Sequence, residues 1–170
     1  IVNASWGSYL YSATGQHVID HAQSENVVVV AAAGNDSLED VMMYPAAYNY
    51  VISVGATTSW EEKWSDSNSG SWIDIAAPGH KIYSTIPGHG FKNKNGTSMA
   101  SPIVAGVCAL VWSINPELSA ADVINCVLTS TDNIGIINLG SGRVNALKAV
   151  ECAMERSAEP PAEEEERSIL

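Results

Sequence analysis

Seven consecutive residues, Gly96-Thr97-Ser98-Met99-Ala100-Ser101-Pro102, join a polar loop to a run that is small and apolar almost all round. A serine in the first turn of a helix stands among backbone N–H groups that lack an intrahelical acceptor, at the positive end of the macrodipole. Negative charge developing beside it is stabilised, which suits a nucleophile whose attack creates an oxyanion. Gly96 permits a close approach that a Cβ would block, and Pro102 is expected at the end of the first turn, where its missing N–H costs least. Ser98 is therefore the candidate nucleophile. The plain alternative is a capping serine on a hydrophobic helix.

A second segment, Ala31-Ala32-Ala33-Gly34-Asn35-Asp36, ends an apolar run in small residues followed by Gly and Asn. In open α/β sheets, ligands bind at the carboxyl ends of strands. Small residues there let a substrate backbone approach, and the Asn35 carboxamide has N–H groups to offer a developing oxyanion. Alone, Gly34-Asn35 would read as a turn. Paired with the Ser98 segment, it points to acyl transfer. His17 and His21 are four residues apart on an expected helix, a spacing that suits a metal, yet no third ligand is evident, and they read as a solvated face.

These segments need elements to hold them. Val27–Ala33 and Val51–Ala56 are continuous β-branched and small apolar runs, the pattern of strands buried on both faces of a parallel sheet. Ile1–Trp6 reads as a strand, and Val18, Ile19 and Ala22 recur at helical spacing between Tyr9 and Glu25. The resulting β-α-β order predicts an α/β fold with three α/β/α layers and a mainly parallel sheet. Ile73–Gly79 and Lys81–Pro87, broken by Pro-Gly, predict a hairpin-rich insertion. Thr97–Ser113 is expected as a helix buried in the core. A third helix should run from Ser119, as N-cap with Asp122 three positions on, to Leu128, and a last one from about Val144 to Met154.

The 170 residues, 46% hydrophobic and 16% charged, fit one globular domain with a buried core. The longest apolar runs, Val27–Ala33 and Ile103–Trp112, fall short of the roughly 18 residues of a membrane span. Ile1–Trp6 lacks the basic region and cleavage site of a signal peptide. The net charge is −11, with seven acids against two arginines in the last twenty residues, which leaves −6 on residues 1–150. No basic stripe is present, so nucleic acid is not an expected partner. Residues 1–155 are expected to form the domain and 156–170, Pro- and Glu-rich, an acidic disordered tail or linker. Cys108, Cys126 and Cys152 each read as small core hydrophobes, with a Cys126–Cys152 disulfide as the alternative.

Four stretches in order resemble the subtilisin-like serine proteases: Asn3-Ala4-Ser5-Trp6-Gly7-Ser8; Val28 to Asn35; Tyr44-Pro45-Ala46 leading to Val51–Ala56; and Ala76-Ala77-Pro78-Gly79 with Gly96–Pro102. The resemblance spans residues 1 to about 153 and corresponds to the C-terminal portion of a catalytic domain, with N-terminal strands absent. It implies a serine endopeptidase in which Ser98 is the nucleophile, and its N–H and the Asn35 side chain form the oxyanion hole. It also implies that Ser5, Trp6 and Gly7 pair with the substrate backbone and that Ala31, Ala32, Ala33 and Gly34 wall the S1 pocket, with Met43 at its floor. Trp6 as ordinary core is the competing reading.

The family takes its base and orienting acid from Asp-x-Gly and His-Gly-Thr-His-type motifs that precede everything in this sequence. His17, His21, His80 and His89 lack that context, as do Asp20, Asp36, Asp66 and Asp74. The expected partners are thus a peptide or protein substrate and an upstream part of the domain, without which this chain is expected to be inactive. The alternative is a pseudoprotease acting as a peptide-binding module. An α/β-hydrolase esterase is a weaker reading, because Ala100 stands where Gly-x-Ser-x-Gly needs glycine, and a nucleotide-binding domain is weaker still, because no G-x-G-x-x-G follows a predicted strand. No cofactor is expected for the chemistry and no metal ligand is identified. The resemblance allows a structural calcium on backbone carbonyls of Tyr44–Val51, without a carboxylate cluster to indicate it. It also favours an extracellular or secreted location.

Overall fold

The computed structural model describes residues 1–158. Four strands, β1 (Val2–Ala4), β2 (Val29–Ala32), β3 (Val51–Thr57) and β4 (Ile75–Pro78), form one parallel sheet in the order β1-β2-β3-β4. Helix α1 (Ala13–Ser24) covers one face. The other face carries α2 (Thr97–Ile114), with α3 (Ala120–Thr129) and α4 (Ala146–Ala158) packed against it. An antiparallel hairpin, β5 (Ile82–Ile86) and β6 (Gly90–Lys94), stands apart from the sheet. The three-layer α/β/α architecture follows from β2 and β3 being buried on both faces along their whole length.

Alternation along the strands sorts the core. Val28, Val30, Ile52, Val54 and Ile75 face α2–α4, whereas Ala4, Val29, Ala31 and Val51 face α1 with Tyr48. Helix α2 is, at 18 residues with a mean hydropathy of 1.6, long and apolar enough by length and composition to cross a membrane. It instead packs over all four strands, and Ala100, Val104, Cys108 and Val111 are fully buried on one side of it. The α1 expectation holds for Ile19 and Ala22, which pack on the core. Val18, one turn before Ala22, lies exposed at the edge of the same face.

Three further expectations are corrected. Ile75–Pro78 is not part of a hairpin insertion: Ile75, Ala76 and Ala77 are buried, and the segment extends the parallel sheet beside β3. The hairpin partner of β5 is Gly90–Lys94, whose polar residues carry no strand pattern because the strand is largely exposed. Cys126 and Cys152 form a disulfide that ties α3 to α4, so of the three cysteines only Cys108 is a free core thiol. The Ser119 cap is a complete capping box with Asp122, and α4 begins at Ala146, after Asn145. Beyond Ala158, the expected acidic tail lies outside the described residues.

Candidate active site

The carboxyl ends of β1 and β2 converge on the first turns of α2, which brings Ser5, Asn35 and Ser98 together as the parallel topology requires. Gly96 is the N-cap of α2 at φ +144°, a conformation that disfavours any side chain, and its N–H donates to Gly79 O at 2.8 Å. The first N–H groups of α2 are then divided. Thr97 N–H donates to Asn35 Oδ1 at 2.8 Å, and the N–H groups of Met99 and Ala100 donate to Gly96 O. Ser98 N–H keeps no acceptor among the described residues.

Asn35 is fixed by its oxygen alone. Besides Thr97 N–H, Thr97 Oγ1 donates to Asn35 Oδ1 at 2.9 Å, while the same hydroxyl accepts from Gly34 N–H at 3.1 Å. With Oδ1 doubly bonded, Nδ2 is the unengaged end of the amide, exposed beside the turn that holds Ser98. Two unpaired donors, Ser98 N–H and Asn35 Nδ2, therefore flank this helix end. Such a pair can stabilise an oxyanion.

Ser98 is half-buried, and its Oγ donates to Ser5 O at 3.1 Å; Ser5 Oγ donates back to Ser98 O at 2.9 Å. Pro102 explains the second bond. It stands in the second turn of α2, not at the end of the first as expected, and its missing N–H leaves Ser98 O without the usual donor four residues on. Asn3 completes the link, donating from Nδ2 to Ser5 Oγ at 2.9 Å and accepting from Ser101 Oγ.

The other expected site residues divide into two groups. Gly34, at φ +106°, packs so closely that a Cβ would stand 2.3 Å from Asn68 Nδ2 and 2.5 Å from Met43 Sδ; a Cβ on Gly7 would meet Met43 Cε at 2.6 Å. Gly7, Gly34 and Met43 thus share one wall. Trp6 is 69% exposed, which removes its reading as core. Ala31 and Ala33 are fully buried in the clusters on the α1 side and around Ile73 and Leu139, and Ala32 is buried at the strand end.

Asn68 had no signal in its Ser- and Asn-rich surroundings, yet it organises the Asn35 loop. Fully buried, it donates to Ala33 O at 2.9 Å and to Tyr9 Oη at 3.2 Å, and its Oδ1 accepts from Asp36 N–H and Leu38 N–H. Tyr9 also donates to Asp36, and partial burial with that carboxylate raises the phenol above its ordinary pKa. The tyrosine remains a hydrogen-bond donor.

Among the described residues no histidine bonds Ser98, and no three His, Cys, Asp or Glu side chains converge as metal ligands. The Tyr44–Val51 loop fits a calcium poorly. It has no carboxylate, and the carbonyls of Tyr44, Pro45 and Tyr48 already accept backbone bonds.

Residues 1–150 match the sequence profile of the Subtilase family of peptidases. The chain belongs to that family. It is 42% identical over 147 residues to the alkaline elastase YaB of a Bacillus strain and to Subtilisin Savinase of Lederbergia lenta, covering 86% of this chain each time. It spans only 39% of the first and 54% of the second. Among solved structures, a protease from Pseudoalteromonas arctica superposes with a TM-score of 0.85 at 32% identity, covering 89% of this chain and 50% of that one. The self-cleaved protease domain of PatA does so at 0.80 and 31%, covering 89% and 60%. The chain spans about half the length of the relatives it matches.

Proposed function

We propose that the full-length protein is a serine endopeptidase in which this chain supplies nucleophile, oxyanion hole and much of the peptide-binding wall. The observation that carries the reading is the clamp of Asn35 Oδ1 by both Thr97 donors, which leaves Nδ2 and Ser98 N–H as the unpaired donors of the site. Ser98 Oγ attacks the scissile carbonyl carbon while its proton passes to an imidazole; the oxyanion is held by the two donors. The imidazole then protonates the departing amine, and water hydrolyses the Ser98 ester with the same proton traffic in reverse. The imidazole and its orienting Asp come from a region upstream of residue 1, in keeping with the half-length match to the relatives. Ser5–Gly7 receives the acyl side of the peptide by strand addition, with Gly34 and Met43 across from it.

The substrate is a peptide or protein. The Cys126–Cys152 disulfide and the family resemblance both support an extracellular or otherwise oxidising location. A second reading, a peptide-binding module without hydrolysis, draws on Ser98 Oγ bonding Ser5 O where a working base would take the proton. A fluorophosphonate probe decides between them. Labelling of the full-length protein that Ser98→Ala abolishes is the expected result; no labelling of the folded full-length protein overturns the protease reading.

A further inference from the structure

Beside Ser98, on the side away from Ser5–Gly7 and Ala31–Asn35, lies a cavity of about 400 Å³ between α2 and the β5–β6 hairpin. Ser98 and Met99 line it from the helix, and Ile82, Ser84, Ile86 and Lys94 line it from the hairpin. No residue of the acyl-side walls reaches it. If Ser98 performs the acyl transfer proposed above, on which this inference rests, the departing half of the peptide falls into this cavity.

Its charge is opposite to that of the rest of the chain. There is no Asp or Glu between Asp74 and Glu117, although the chain carries −11 overall, and Lys81, Lys92 and Lys94 all belong to the hairpin and its approach. Register places Lys94 opposite Ile82 and Lys92 opposite Ser84, so both lysines share the face that lines the cavity. Among the described residues neither makes an ion pair. On the acyl side the Asn35 loop carries Asp36, Glu39 and Asp40. The loop on the Asn35 side of Ser98 is acidic and the hairpin on the other side is basic.

We propose that Lys94 selects substrates with an Asp or Glu side chain within the first two residues on the leaving-group side of the scissile bond. Its alkyl stem runs beside apolar Ile82 while the ammonium stays in water, and a carboxylate arriving from Ser98 meets that ammonium with no internal competitor. An extended peptide advances about 3.3 Å per residue, which keeps the first two leaving-group residues over this cavity.

The test uses the full-length enzyme and matched internally quenched peptides with Glu, Gln or Lys at the first or second leaving-group position, the cleaved bond being mapped by mass spectrometry. Expected is a kcat/KM for Glu over its isostere Gln of about 1.5- to five-fold, the range of a solvent-exposed ion pair. That ratio should collapse near 1 M NaCl, where screening acts within about 3 Å. Lys94→Gln should flatten the series, and Lys94→Glu should invert it in favour of the Lys peptide. Cleavage of all peptides with one flat ranking in both wild type and Lys94→Glu overturns this inference alone. Cleavage of none by the folded enzyme overturns the protease reading and this inference with it.

Discussion

Ser5 and Ser98 exchange hydrogen bonds, hydroxyl to carbonyl in both directions, at 2.9 and 3.1 Å. The bond to Ser98 O is open to Ser5 because Pro102 withholds the N–H that would otherwise close the α2 turn on that carbonyl. A residue just past the end of β1 thereby supplies a hydrogen bond that the helix lacks and ties the sheet to the first turn of α2.

Removing the Ser5 hydroxyl should therefore be felt at Ser98. Ser5→Ala is expected to cost about 1 to 2 kcal/mol of stability, the hydroxyl giving up its bond to Ser98 O and the one it accepts from Asn3 Nδ2, and to lower kcat more than it raises KM. In a Pro102→Ala background, where an N–H for Ser98 O is restored, the same substitution should cost less. A double-mutant cycle read by chemical denaturation checks this, and strict additivity would show that the two groups do not share an acceptor.

The Asn35 clamp gives a graded series. Asn35→Ala in the full-length enzyme should raise the barrier by about 3 kcal/mol, a figure carried over from the equivalent donor in a subtilisin. Thr97→Val keeps Asn35 but removes the hydroxyl that bonds it and Gly34. It should lower kcat by a smaller factor, with little further loss when combined with Asn35→Ala, and Thr97→Ser should restore most of it. Single-turnover rates separate these from effects on binding.

How much of this was legible in the sequence depends on what each residue does for the fold. The strands β2 and β3 and the helix α2 announce themselves because burial on every side demands unbroken apolar runs, and Ser119 with Asp122 is a local signal complete within four residues. The placement of Ser98 in the first turn of a helix and of Asn35 past a strand end was readable because strand ends and helix starts leave patterns. Asn68 was not, since its four bonds go to Tyr9, Ala33, Asp36 and Leu38, partners set by tertiary contact. β6 was missed because an exposed strand has no apolar face to encode. The disulfide pairing was left open because Cys126 and Cys152 meet only through the packing of α3 on α4.

Asp132 should make the α3–α4 corner acid-sensitive. Lys148 Nζ at 2.8 Å, Asn145 and Arg143 surround its carboxylate and hold its pKa down to about 2, against roughly 3.9 in an unfolded chain. A carboxyl depressed in the folded state adds stability above its unfolded pKa and loses it as pH falls through the folded one, here from about 4 to about 2. Asp132→Asn should be less stable at neutral pH and show a shallower decline across that window. Equal slopes in urea titrations at pH 2 to 5 would rule the contribution out.

The Cys126–Cys152 disulfide is the covalent restraint between α3 and α4, bridging residues 26 apart in sequence. Closing a loop of that size removes chain entropy from the unfolded state worth roughly 3 to 4 kcal/mol. Reductant should lower the denaturation midpoint of the wild-type protein, and Cys126→Ala/Cys152→Ala should be destabilised already and insensitive to reductant. Cys108 supplies the internal control. It is fully buried in α2, and burial pushes its thiol up to about 12, so it holds no thiolate for an alkylating reagent in the folded state. Alkylation followed by peptide mapping should modify none of these three cysteines in the native oxidised protein and Cys108 alone after denaturation without reductant. Alkylation of Cys126 and Cys152 under those denaturing conditions would show that the bridge does not form, and a midpoint unmoved by reductant would show that it does not stabilise the fold.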